Sequence, residues 1–125
     1  MPELLPQLLK LAVLGDGAMG TACAILANQR GIPQVTLWSA LQENGQLLQQ
    51  HRENIYLLPG VKIPQAIELT TDAAVAIDHA DLILIAIPTV YLRQTLTRIK
   101  SQLQALNADS ERCQRIGNRH LLQAN

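Results

Sequence analysis

The chain has 125 residues, 48% of them hydrophobic, and ten basic residues balance ten acidic ones to a formal net charge of zero. That length suits one globular domain and is short for a two-domain enzyme, and the charge balance leaves no basic field to attract nucleic acid. Met1-Pro2-Glu3 offers no cationic leader and the longest apolar run, residues 82–88, is far below the ~20 residues that cross a bilayer, so a cytoplasmic chain without a membrane span is expected.

Residues 10–14 read as a first strand, continuous in apolar character like a strand buried on both faces. It runs straight into Gly15-Asp16-Gly17-Ala18-Met19-Gly20, a Gly-x-Gly-x-x-Gly turn that opens a helix. In such a turn Gly15 permits the sharp bend, Gly17 lets backbone approach a pyrophosphate, and Gly20 lets the helix lie close to the strand. The amides of residues 18–21 then face the phosphates, with the positive end of the helix dipole behind them. Asp16, at the variable position, is expected to point to solvent.

The small-residue helix continues through Thr21-Ala22-Cys23-Ala24-Ile25-Leu26-Ala27 to Arg30, with Gly31 as its stop and Pro33 preventing continuation. Residues 35–38 form a second strand and complete a β-α-β unit. A Leu- and Gln-rich helix is expected over residues 40–54, and a fixed loop over 55–64, which holds two prolines and Gly60. Residues 67–70 read as a third strand, and Thr71 or Asp72 as the cap of a short helix over 73–79. Asp81 opens a fourth strand, residues 82–87, which Pro88 stops. Leu92, Leu96, Ile99, Leu103 and Leu106 then mark one amphipathic helix over 90–106.

This alternation predicts an α/β fold, a doubly wound parallel sheet of the Rossmann type with about four strands, fewer than such a sheet normally has. The expected organisation is an N-terminal extension (1–9), a dinucleotide-binding domain (10–106) and a divergent tail (107–125). No strand-like run stands out in that tail. The fourth strand is therefore expected to be an open edge, able to pair with another chain.

Other residues receive plainer readings. Cys23 and Cys113 lie in no Cys-x-x-Cys pair, so no metal site or disulfide is predicted. His51, His79 and His120 stand in no recognisable catalytic arrangement and read as surface residues. Trp38 is expected to pack rather than stack on adenine, Lys62 to face solvent, and Arg93, Arg98 and Lys100 to form the wet face of the last helix.

Four segments together resemble the amino-terminal domain of bacterial NAD(P)-dependent glycerol-3-phosphate dehydrogenase. They are Val13-Leu14-Gly15-Asp16-Gly17-Ala18-Met19-Gly20-Thr21-Ala22, Val35-Thr36-Leu37-Trp38, Arg52-Glu53-Asn54-Ile55-Tyr56-Leu57-Leu58-Pro59-Gly60-Val61-Lys62-Ile63-Pro64, and Ala80-Asp81-Leu82-Ile83-Leu84-Ile85-Ala86-Ile87-Pro88-Thr89. The Arg-Glu-Asn to Leu-Pro-Gly-Val block is the discriminating one. The family transfers a hydride between NAD(P)H and dihydroxyacetone phosphate or sn-glycerol 3-phosphate.

By position, the resemblance implies that Gly15, Gly17, Ala18, Met19 and Gly20 touch the pyrophosphate and that Ser39 and Ala40 lie near the adenosine ribose. It places Tyr56 at the cofactor cleft and Ile87 and Pro88 beside the dinucleotide. The family usually has an aromatic residue where Met19 stands and arginine where Ala40 stands. With no acid at positions 38–40, NAD versus NADP stays open. The family's two characteristic lysines fall beyond Lys100, the last lysine here. The resemblance thus implies a truncated or frame-shifted product that binds NAD or NADP, with no catalytic residue of its own and no turnover. Two alternatives remain: a non-catalytic dinucleotide-sensing module, or the entry domain of another two-domain dehydrogenase.

Overall fold

The computed structural model describes residues 8–107 and 121–123, and its first strand, β1 (Lys10–Leu14), is buried at every position. The elements that follow are α1 (Ala18–Gln29), β2 (Gln34–Trp38), α2 (Gln42–His51), β3 (Glu53–Asn54), β4 (Leu58–Lys62), β5 (Ile67–Thr70), α3 (Ala73–Ile77), β6 (Leu82–Ile85), α4 (Thr89–Arg98), α5 (Lys100–Asn107) and β7 (Leu121–Gln123). Five strands form a sheet in the order β5-β2-β1-β6-β7, and every pairing within it is parallel. β3 and β4 stand apart as an antiparallel ribbon.

The chain builds outward from β1 through β2 to β5 and then returns to the opposite side of β1 as β6. The strand order therefore reverses between β1 and β6, where sheets of this kind open a ligand crevice at the carboxyl ends. Leu14 pairs with Trp38 on one side and Ile85 on the other, which brings the exits of three strands level.

Alternation along the strands supplies two cores. Leu11, Val13, Val35 and Leu37 pack with Ala24 and Ile25 of α1 and Leu48 of α2. On the opposite face Ala12, Leu14, Trp38, Ile83 and Ile85 pack with Ala73, Ala76 and Ile77 of α3, with Leu92, Leu96 and Leu103 against them. Each large aliphatic side chain buried in this way contributes about 1.5–3 kcal/mol. At the entry of β1, both Leu9 and Lys10 donate their amides to Asp81 Oδ2 at 3.0 Å, while Lys10 Nζ donates to Val75 O and Asp78 O at the end of α3.

Several boundaries differ from expectation. α2 covers residues 42–51 rather than 40–54, because Arg52 turns left-handed (φ 51°) and ends it. The stretch 55–64 is not all loop: β4 lies within it and pairs with β3, its Pro59 tolerated because a two-stranded ribbon leaves many amides unpaired. The helix expected over 90–106 is two helices, separated at the buried Ile99, whose φ −102° and ψ 13° leave the helical range. The strand expected to reach Ile87 stops at Ile85, after which Ala86 donates its amide to Leu14 O. The short helix ends at Ile77 instead of His79, which is left-handed (φ 59°), and Asp72 rather than Thr71 caps it by accepting from the Ala74 amide.

The largest correction concerns the edge. β6 is not open: β7, from the stretch 107–125, pairs with it in register Ile83 to Leu121, Leu84 to Leu122 and Ile85 to Gln123. The sheet thus has five strands, and the pairing surface proposed for β6 is already filled. Cys113 and His120 lie outside the described residues.

Candidate functional site

The glycine-rich turn leaves β1 at the point of strand reversal. Gly15 has φ +124°, and a Cβ there would lie 2.2 Å from Ala86 O. Its amide donates to Trp38 O at 3.1 Å, so one residue is held against the exits of both neighbouring strands. A Cβ on Gly20 would fall 1.9 Å from Gly15 O, which makes bare backbone the only surface that fits between helix and turn. Gly17 differs from both. A Cβ there meets nothing within 4 Å, so this glycine leaves open space above it.

Gly17 is also the N-cap of α1, and no side chain caps that helix. The first amide to bond back is that of Thr21, to Gly17 O at 3.0 Å. The amides of Ala18, Met19 and Gly20 precede that bond, and with the helix dipole they form an anion-binding end.

A second group fastens the turn from behind. Asn54, at the end of β3, is buried and donates from Nδ2 to Asp16 O at 2.8 Å and to Thr21 Oγ1 at 3.1 Å, while its Oδ1 accepts from the Leu57 amide. Arg52 donates through Nη2 to Pro64 O and to Ile67 O, and its own carbonyl accepts from the Ile63 amide. Glu53 accepts from the Gly60 amide and pairs with Lys62 at 3.2 Å. The Gly60 amide, then the Lys62 side chain, hold the Glu53 carboxyl below its ordinary range. The Arg-Glu-Asn block is therefore a set of ties within the ribbon and between ribbon and turn. Sequence reading missed this role, because the positive φ of Arg52 and the burial of Asn54 arise from the fold and leave no local signal in the sequence.

Asp16 does not project freely into solvent. It is half-buried and lines a pocket of about 200 Å³ with Asn44 and Leu48 of α2 and Glu53, Asn54, Tyr56 and Leu57 of the ribbon. Burial pushes its carboxyl above the usual range, opposed by the Ser39 hydroxyl and by its own amide. Among the described residues, Ser39 Oγ is buried and has no partner within hydrogen-bond geometry.

The other expected site residues fall around this centre. Ala18 and Met19 are exposed, Met19 by 49%, at the start of α1. Ala40 lies just beyond β2, whereas Ser39, 1% exposed, turns its side chain inward toward Gly45 of α2. The backbone of Ser39 stands at the strand exit, but its hydroxyl does not. Tyr56 is 78% exposed at the mouth of the Asp16 pocket. Ile87 is buried beside Gly15 and Pro88 is exposed beyond it. Trp38 is 1% exposed and donates to Thr71 O, so its ring belongs to the core. Arg98 is exposed, as are Arg93 and Lys100, and it also makes contacts: its Nη2 donates to Ala40 O at 2.7 Å and its guanidinium lies 5.6 Å from the Trp38 ring centroid.

Among the described residues, no group of three or more His, Cys, Asp or Glu is placed to hold a metal, and no helix is long and apolar enough to cross a membrane.

A parallel sheet whose order reverses beside an uncapped glycine turn is a dinucleotide-binding domain of the Rossmann type. The chain belongs to the family of NAD-dependent glycerol-3-phosphate dehydrogenase N-terminal domains, whose model matches residues 10–110. Its cofactor class is NAD or NADP. The chain is 37% identical over 94 residues to glycerol-3-phosphate dehydrogenase [NAD(P)+] of Syntrophomonas wolfei, covering 75% of this chain and 27% of that protein. Against the enzyme of the same name from Rhodopseudomonas palustris it is 47% identical over 89 residues, covering 71% and 26% respectively. The crystal structure of glycerol-3-phosphate dehydrogenase from Coxiella burnetii superposes with TM-score 0.69 at 28% identity, over 74% of this chain and 28% of that one. The chain thus spans about a quarter of the length of the curated relatives it matches.

Proposed function

We propose that this chain is the cofactor-holding part of a glycerol-3-phosphate dehydrogenase, seating the pyrophosphate of NAD or NADP over residues 15–20. The open space over Gly17, beside an uncapped helix start at the point of strand reversal, is the observation that carries this reading. Gly15 and Gly20 keep the turn flat, and the amides of Ala18, Met19 and Gly20 meet the phosphate oxygens. Ala40 and the Ser39 backbone border the adenosine ribose, while Ile87 and Pro88 border the path from pyrophosphate toward nicotinamide. Tyr56, at the mouth of the neighbouring pocket, flanks the cleft. The working unit is residues 10–106, in a cytoplasmic setting.

When bound, the nicotinamide supplies the hydride exchanged with the C2 carbon of dihydroxyacetone phosphate or sn-glycerol 3-phosphate. The residues of this chain hold and orient; none of them is proposed to move a proton on the substrate. The 125-residue chain by itself is therefore expected to bind cofactor without turnover. Calorimetric titration with NADPH and NADH tests the site. Gly17→Val should abolish binding and keep the fold, because a side chain at that φ (−71°) is unstrained and projects only into the phosphate space. Unchanged affinity in that variant would overturn the assignment, and steady NADPH oxidation with dihydroxyacetone phosphate would overturn the absence of turnover.

A further inference from the structure

The exit of β2 carries a cation delivered by α4, which packs on the Trp38 face of the sheet. Arg98, in the last turn of α4, is 58 residues from Ala40 in sequence, yet its Nη2 donates to Ala40 O at 2.7 Å. Its guanidinium also lies over the Trp38 ring, 5.6 Å from the centroid. A hydrogen bond and a cation–π contact together restrain a group that usually moves freely. The Ala40 carbonyl engages one end of a fork that carries five N–H donors.

This is the place where a fold of this class meets the adenosine ribose, at the end of the second strand about 20 residues beyond the glycine turn. An acid there accepts from a free ribose 2′-hydroxyl. None exists at Trp38, Ser39 or Ala40, and the Ser39 hydroxyl is buried. The next acid along the chain, Glu43, is in the first turn of α2, and Asp16 is turned into its pocket against that helix. A 2′-hydroxyl thus finds no acid at positions 38–40, whereas a 2′-phosphate finds an exposed guanidinium already oriented by the Ala40 carbonyl and the Trp38 ring. Guanidinium–phosphate pairing is among the stronger charge-assisted contacts, and restraint before binding lowers its entropic cost.

We propose that Arg98 is the specificity-determining residue for a phosphate on the adenosine 2′ oxygen, so that this chain selects NADP(H) over NAD(H). The inference rests on the dinucleotide reading of the glycine turn. Calorimetric titration of the full chain with NADPH and with NADH separates the two ideas. Wild type should bind NADPH at least tenfold more tightly, by a margin that narrows as salt rises. Arg98→Gln should lose about tenfold for NADPH while its NADH affinity stays within twofold, which also shows that the variant is folded. Arg98→Lys should recover part of the difference. Equal wild-type affinities, an Arg98→Gln variant that keeps the NADPH preference, or equal loss of both ligands would overturn the role of Arg98 and leave the dinucleotide site standing. Binding of neither ligand by wild type would overturn the dinucleotide reading, and this inference with it.

Discussion

A methyl group added to Gly20 would sit 1.9 Å from Gly15 O, and one added to Gly15 would sit 2.2 Å from Ala86 O. Neither neighbour is a side chain that can swing aside. Gly20→Ala is therefore expected to cost about 3 kcal/mol or more, read as a lowered urea midpoint, while a change at Gly17 leaves that midpoint nearly untouched. Asp16 supplies the opposite case, a residue whose removal should help the fold. Burial lifts its folded-state pKa above the ordinary 3.8, so the native state holds the proton more tightly than the unfolded chain does. Stability then falls as pH rises from 3.8 through that lifted value, and stays lower above it. Asp16→Asn should accordingly melt about 2 °C above wild type at pH 7, with the gap closing toward acid, as thermal melts at both ends would show. The same variant should bind dinucleotide more tightly at neutral pH, since a carboxylate near the phosphate turn is lost. Sequence reading sent this side chain to solvent because nothing local reveals that α2 and the ribbon fold over it.

The β3–β4 ribbon sits where a loop was expected. Its prolines and Gly60 are turn formers, and a two-residue strand has no periodicity to read; only the long-range ties of Arg52, Glu53 and Asn54 make it an element. Asn54→Ala should cost about 2 kcal/mol, because it strips hydrogen bonds from a buried site and leaves Asp16 O and Thr21 Oγ1 with poorer partners. Chemical denaturation measures that cost, and a parallel loss of dinucleotide affinity would reflect the loosened turn. The paired helices α4 and α5 escaped notice for another reason. Leu92, Leu96, Ile99 and Leu103 keep one helical spacing across the break, so the pattern shows no seam although Ile99 leaves the helical dihedral range. The tie of Arg98 to Ala40 was not legible either, since that partner lies just beyond β2, 58 residues away.

Across the whole molecule, the four parallel strands read from sequence are those the structure holds, because each is a continuous or alternating apolar stretch close to a glycine, a proline or a capping acid. The fifth was not legible: β7 is three residues long in a polar stretch, and its pairing with β6 is a backbone event that composition does not announce. The sheet exposes its ligand crevice at the carboxyl ends, so occupancy should stabilise the native state alone. At a free NADP(H) concentration of 100 times Kd the stabilisation is about 2.7 kcal/mol, visible as a melting temperature that climbs with ligand concentration. A melting point indifferent to both nicotinamide cofactors would contradict that expectation.

The residues that best betray the lineage of this chain, Arg52, Glu53 and Asn54, spend their hydrogen bonds on the protein itself. They are under pressure to persist for as long as the molecule keeps its shape, whatever becomes of its chemistry. A descendant that had stopped holding any nucleotide would still carry them, while Gly17, which answers only to the ligand, would be the first of these positions free to drift.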